Sequence, residues 1–446
     1  MEGKKKMKIY TIGGYSEVGK NMTAIEVGNE IVIIDMGLFL PPLLNYEEGD
    51  PRDLTTKQLM KIGAIPNDNV LDNKRNKVKA IAFGHCHLDH IGAAPYLAKH
   101  YNCDLIGTRY TLEILKTLLD DKKIKLNNKL RVLNCNSKFK VSDNFTIEFI
   151  NMTHSTLQVV LIAIHTKEGI VLYANDFKFD NHPVIGKKPD YDRLIELGKK
   201  GVKALILDSL NSKEEMKTPS EKVAKEMLKD VLLGVNNKGK GVVVTTFASH
   251  IARLKSVVEL GRKMNRKVVL LGRSMLKYVG AAANINLITF NKDIELIGYR
   301  DLIKKKLKEI DKNKGDYLIV CTGNQGEPEA VLSRMAKGEF PFSFTSDDNV
   351  IFSCRTIPTV ETERNRAVLE KRLKSKGVRI FKKIHVSGHA SKEDHRDLIN
   401  MVKPKHLFPA HGDINMVTGM VELATEMGYK LGKNVHIMGD NRDITV

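Results

Sequence analysis

The sequence predicts an α/β protein whose central part carries a mainly parallel sheet, and three observations predict it. Short apolar runs rich in β-branched residues recur along the chain. Several of them end directly in a histidine or an aspartate rather than in an ordinary turn. From about Lys203 onward, strand-like and helix-like stretches alternate. With 446 residues, the chain is longer than one hydrophobic core normally organises, so two or three domains are expected.

Taken in order, the chain opens with strands at 8–12, 22–27 and 30–35, separated by Gly13-Gly14 and a second turn; the third ends in Asp35. Residues 38–77 read as irregular, broken by Pro41-Pro42, Gly49-Asp50-Pro51 and Pro66-Asn67-Asp68. A loop of that length inside a domain is usually functional. A buried strand at 78–83 runs into His85-Cys86-His87-Leu88-Asp89-His90, and a helix is expected over 91–101. A short strand at 104–107, a helix at 110–120 and a strand-rich run to 150 then lead to His154, and strands at 159–165 and 169–173 lead to Asp176.

The strand at 204–208 ends in Asp208, where the rhythm changes. Helices are expected at 220–235, 251–264, 274–283, 328–337 and 361–376, with strands at 241–246, 267–271, 316–322 and 349–354. Ser220 and Gly377 fit as helix boundaries. The apolar run at 379–386 ends in Ser387-Gly388-His389, a helix covers 392–402, and a strand at 407–410 ends in His411. These changes divide the chain into 1–208, 209–380 and 381–446.

Three imidazoles and a carboxylate within six residues are more than a polar turn requires. His85 and His87 alternate onto one side of an extended segment, and Asp89 and His90 follow as the helix begins. Imidazole nitrogen and carboxylate oxygen suit zinc and its neighbours. His154 and Asp176 repeat the placement just past a strand, and a carboxylate able to bridge two ions is what a dinuclear hydrolytic centre needs. Ser387, Gly388 and Ser391 offer hydroxyl and amide donors to a phosphate, and His389 a charge or a proton.

Lys+Arg 72 against Asp+Glu 53 gives a net charge of +19, which favours a polyanionic partner. A lysine-rich proteome would give the same sum, and lysines such as Lys304-Lys305-Lys306, Lys371, Lys374 and Lys376 read as solvated helix faces. No apolar run is long enough to span a bilayer, the N-terminus lacks a secretory segment, and five scattered cysteines do not suggest a disulfide framework. A cytoplasmic protein without membrane contact is expected.

His85-Cys86-His87-Leu88-Asp89-His90 matches the HxHxDH motif of metallo-β-lactamase-fold hydrolases. Asp208, His389 and His411 resemble motifs A, B and C of the β-CASP nucleases, in which a second domain is inserted into the lactamase-like αββα sandwich. Within that group the chain resembles ribonuclease J of archaeal type, through Gly272-Arg273-Ser274-Met275, the run 321–328 and Val386-Ser387-Gly388-His389.

The resemblance implies two zinc ions per subunit, with manganese or magnesium as possible activating ions. One ion would take His85, His87, His154 and Asp176; the other Asp89, His90, Asp176 and His411. It implies catalytic roles for Asp89, Asp208 and His389, with Asp208 orienting metal-binding histidines and His389 stabilising charge or protonating the leaving oxygen. Asp35 would support the histidine loop. Substrate would meet Phe247-Ala248-Ser249, His385-Val386-Ser387-Gly388-His389 and Ser391, with Phe247 stacking on a base.

The implied function is degradation of single-stranded RNA, 5′ to 3′ from monophosphate ends, in rRNA processing and RNA decay, with a homodimer as the assembly. Chain ends soon after His411 and a first strand by Lys8 separate the sequence from bacterial members with a C-terminal domain and from cleavage-factor relatives with KH domains. The alternatives are a cleavage-factor-type endoribonuclease and a non-catalytic RNA-binding subunit, the latter disfavoured by the intact ligand set. A small-molecule hydrolase would need neither the insert nor the +19 charge.

Overall fold

A computed structural model describes residues 6–46, 50–346, 348–357 and 359–446. Gly49 and residues 1–5, part of the terminus read as lacking a secretory segment, lie outside the described residues. Two compact units emerge: 1–180 with 187–218 and 388–446, and 181–186 with 219–387. Besides the short excursion at 181–186, the chain changes unit after Thr218 and after Ser387, against the rhythm changes read at 208 and 380.

The first unit contains two sheets. The first runs in the order Arg442–Thr445, Met7–Gly13, Met22–Val27, Glu30–Ile34, Val78–Ala82, Asp104–Gly107, Leu130–Val132. The second runs His406–Ala410, Val202–Asp208, Gly169–Ala174, Val160–Thr166, Thr146–Asn151, Ser137–Lys140. Alternation along single strands places the second sheet between two cores. Val160, Ile162 and Ile164 join Ile25, Val32 and Ala80 of the first sheet, so the sheets face each other. Leu161 and Ala163 point the other way, with Leu194, Leu398 and Leu423 of the covering helices. The last strand pairs antiparallel with the first, Thr445 opposite Lys8.

The helix expected over 91–101 is instead a series of short turns, Leu88–Ile91, Ala94–Leu97 and Ala98–His100. Pro95 has no N–H to give an α-helical ladder, and neighbouring backbone takes the bonds instead: Met36 N–H donates to His90 O (2.7 Å) and Ala93 N–H to Met36 O (2.9 Å). The loop 38–77 is also more ordered than its punctuation suggests, with helices at Pro41–Leu44 and Thr56–Lys61 and a 3-10 stretch at Asp68–Lys77.

The second unit is built on a six-stranded sheet, all parallel, in the order Ile294–Ile297, Lys267–Leu271, Tyr317–Cys321, Val242–Thr245, Asn349–Phe352, Arg379–Phe381. The expected strand over 379–386 stops at Phe381. The lysine face is corrected at one position: Lys306 is buried, its Nζ 2.8 Å from Glu295 and 2.9 Å from Glu309, while Lys304 and Lys305 are exposed. Among the described residues, no helix is long and apolar enough to cross a membrane.

Arg253 is fully buried in this unit. Its Nε and Nη2 donate to Glu221 at 2.5 and 2.9 Å, and Nη1 donates to Ser353 O at 2.9 Å. Removing one partner of such a pair strands a charge, so Glu221→Ala is expected to cost about 3–5 kcal/mol in urea unfolding. A loss below about 1 kcal/mol, the scale of an exposed pair, would mean that water reaches the guanidinium.

Candidate metal centre

The candidate side chains of the first unit converge because each leaves a strand at the same end. Asp35 and the histidine run follow neighbouring parallel strands of the first sheet. His154, Asp176, Asp208 and His411 stand at the ends of Thr146–Asn151, Gly169–Ala174, Val202–Asp208 and His406–Ala410. Asp35, Asp176 and His411 leave through left-handed backbone, with φ of 62°, 52° and 52°. Such conformations cost about 1–3 kcal/mol each and persist where the surroundings impose them.

Two ligand sets result. His85, His87, His154 and Asp176 bring one donor atom each within 4.8 Å of one another, and so do Asp89, His90 and His411. Asp176 faces both. Its Oδ2 lies 3.4 Å from His85 Nε2 and 3.6 Å from His154 Nε2, and its Oδ1 3.2 Å from His90 Nε2 and 3.5 Å from His411 Nε2. Ligands about 2.0–2.1 Å from a tetrahedral ion are about 3.3 Å apart, so these separations fit a cation between the donors. The buried Asp176 offers a second sign: neither of its oxygens has a hydrogen-bond partner among the described residues. A buried carboxylate left that way is costly unless a cation answers it.

Supporting contacts fix which nitrogen faces inward. His154 Nδ1 lies 2.7 Å from Gly388 O, to which it donates, leaving Nε2 toward Asp176. His90 Nδ1 lies 2.7 Å from Asp35 Oδ2, while Gly84 N–H donates to Asp35 Oδ1 at 3.0 Å. Asp35 thus braces the histidine run at both ends. Burial, reinforced by neighbouring imidazoles, holds His85, His87 and His154 well below the ordinary histidine value, so they are neutral donors. His90 is pushed the other way: burial opposes its charge, but Asp176, Asp35 and Asp89 outweigh it.

Asp208 differs from its expected job. Its Oδ2 lies 2.9 Å from His389 Nδ1 and its Oδ1 accepts from Leu210 N–H at 2.8 Å, so it orients His389. His389 Nε2 then lies 4.0 Å from Asp176 Oδ2. Although burial disfavours its charge, Asp176 and Asp208 raise His389 to about 9.

Gly388 lies against the His154 ring, where a Cβ would come within 3.0 Å of its atoms. Ser391 is buried, its hydroxyl 2.9 Å from that of Thr218. Phe247, Ala248, Ser249, His385, Val386 and Ser387 belong to the second unit. Sequence reading missed Asn21, whose Nδ2 donates to Asp89 O (3.0 Å) and lies 2.8 Å from His411 Nδ1. A lone asparagine before a strand carries no signal of that.

Three family descriptions match the chain: "Metallo-beta-lactamase superfamily" over 16–224, "Ribonuclease J, beta-CASP domain" over 239–370, and "Zn-dependent metallo-hydrolase RNA specificity domain" over 377–438. Ribonuclease J of Methanocaldococcus jannaschii is 47% identical over 435 residues, covering 97% of each chain. The chain belongs to the ribonuclease J family. Ribonuclease J of Pyrococcus abyssi is also 47% identical, over 97% of this chain and 95% of its own. Ribonuclease J of Helicobacter pylori is 32% identical, and there the match covers 100% of this chain but 62% of the relative. A solved protein of unknown function from Enterococcus faecalis shares the fold, with a TM-score of 0.67 at 17% identity over 99% of this chain and 100% of its own. As in the ribonuclease J family's metallo-β-lactamase fold, the His/Asp cluster makes the chain metal-dependent.

Proposed function

We propose that this ribonuclease J family member degrades single-stranded RNA from the 5′ end, preferring 5′-monophosphate termini, in rRNA processing and decay. The observation that carries the hydrolytic part is Asp176, set between two ligand sets with both oxygens otherwise unanswered. His85, His87, His154 and Asp176 would hold one zinc ion, and Asp89, His90, Asp176 and His411 the other. Two such ions, with manganese or magnesium as activating alternatives, supply Lewis acidity and a water of lowered pKa.

The chain's own residues do the rest. Asp208 accepts from Nδ1–H of His389, which turns Nε2 toward Asp176. From that position His389 can stabilise charge on the phosphoryl oxygens and protonate the departing oxygen. Asp35 keeps the histidine run in register with the ligand sets. The net charge of +19 suits a polyanionic substrate. A cytoplasmic homodimer is the proposed working form, and sedimentation at several protein concentrations tests the dimer.

Digestion of one RNA labelled at either end and carrying a 5′-monophosphate, triphosphate or hydroxyl tests direction and end preference. Mononucleotides released first from 5′-monophosphate ends are expected. Internal fragments whatever the 5′ group would transfer the protein to the cleavage-factor-type endonucleases. Binding without cleavage would make it a non-catalytic subunit.

A further inference from the structure

The two ligand sets are not held alike. In the first, His154 is braced by the Gly388 carbonyl, but His85 Nδ1 and His87 Nε2 are buried and meet no hydrogen-bond partner among the described residues. In the second, the outer nitrogens of both histidines are held: His90 Nδ1 by Asp35 and His411 Nδ1 by the side-chain amide of Asn21. Asn21 is 1% exposed and lies between the two rings, its Nδ2 2.8 Å from His411 Nδ1 and 3.2 Å from His90 Nε2. No step of the proposed reaction uses it.

The backbone fixes Asn21 before its side chain acts. Its N–H donates to Asp89 O at 3.0 Å, and its carbonyl accepts from Gly37 N–H at 2.9 Å. A Cβ at Gly37 would stand 2.5 Å from Asn21 N, so only glycine lets the two segments come this close. The other end of the same loop meets the same histidine, since Gly14 O accepts from His411 N–H at 2.6 Å.

The orientation of the amide is set from both ends. Asn21 Nδ2 donates to Asp89 O at 3.0 Å, and a carbonyl can only accept. Asn21 Oδ1 accepts from Asn175 Nδ2 at 3.2 Å, and that nitrogen also donates to the Tyr173 hydroxyl at 2.8 Å. Burial, and then the neighbouring Asp35, push the Tyr173 hydroxyl well above its ordinary value, so it stays protonated. A histidine whose Nε2 gives its lone pair to a cation carries its proton on Nδ1, and that proton needs an acceptor. For His411 the acceptor is Asn21 Oδ1, 3.2 Å from Nδ1.

We propose that Asn21 is a positioning residue of the second ligand set: its amide oxygen accepts from His411 Nδ1–H and aims Nε2 at Asp176, 3.5 Å away, with Asn175 and Tyr173 holding the amide. This role rests on the two-ion reading. Because Asp35 braces His90, one run of buried neighbours, Asp35, Tyr173, Asn175 and Asn21, serves both histidines of that set. Losing such a partner costs about 10–100-fold in metal affinity.

Zinc titration of the chelator-stripped full chain against a competing chelator dye tests the role. The wild type is expected to show two zinc sites, and His411→Ala to mark the second by weakening it. Asn21→Leu keeps the branched shape and removes every side-chain hydrogen bond; it should weaken the marked site about tenfold or more and leave the other within a fewfold. Asn21→Asp keeps an acceptor toward His411 Nδ1 and should hold zinc there within a fewfold of the wild type. A residue that only fills space would leave Asn21→Leu unchanged, and one that only supports the fold would weaken both sites alike. Either result overturns the proposal, and so does an Asn21→Asp protein as weak as Asn21→Leu. Melting curves of the zinc-free proteins check folding. Should Asn21→Leu not fold, Tyr173→Phe, which removes one hydroxyl from the brace, is read in its place: a fewfold weakening confined to the marked site supports the role, and unchanged binding overturns it. Wild-type protein with a single zinc site loses the two-ion reading and this role together; two sites that ignore Asn21→Leu remove this role alone.

Discussion

Asp176→Asn is expected to lower RNA hydrolysis by roughly a thousandfold or more, the rate equivalent of several kcal/mol of charge stabilisation from metal ions. The substitution changes almost no volume, but it removes the charge and one of the two oxygens that face the ligand sets. Four imidazoles stand 3.2–3.6 Å from that carboxylate, so its loss weakens both sets at once. Metal content measured by mass spectrometry should fall below that of the wild type, and chelation of the wild type should imitate the variant. RNA retention on filters should stay within a fewfold. Cleavage at the wild-type rate by a metal-poor Asp176→Asn protein would remove the dinuclear centre from the mechanism.

His389→Ala is expected to separate chemistry from metal binding. The Asp208 contact holds His389 beside the ligand sets, and a lost general acid costs about 10²–10⁴-fold in rate. Metal content should remain that of the wild type, because both ligand sets stand without this residue. Asp208→Asn should reproduce part of the rate loss through a misoriented ring. If the His389→Ala protein instead loses metal, His389 is a ligand, consistent with its proximity to Asp176 and His411.

The legible part of the site was what a strand end delivers. A strand of period two that stops at a histidine or aspartate marks both the edge and the side chain presented there, which is why Asp35, His85, His154, Asp176, Asp208 and His411 could be read from sequence. Asn21 could not be, since its partners come from Asp89 and His411, far along the chain. Lys306 misled for the same reason: its helix face reads as solvated, and only the strand carrying Glu295 turns it inward. The broken helix after His90 depends on hydrogen bonds from Met36, which no local period announces. Asp208 was placed correctly at its strand end, but its partner, His389, is set by the return of the chain into the first unit.

The order in which the ligands are made has a consequence for the cell. Synthesis delivers His85, His87, His154 and Asp176 early, then the whole second unit, and only afterwards His411 and the strand Arg442–Thr445 that closes against Met7–Gly13. Domains fold as they emerge from the ribosome, N-terminal parts first. The second ligand set therefore lacks His411 until the second unit has been made. The metal-binding site is complete only when the last part of the first unit has been made and has closed on the rest.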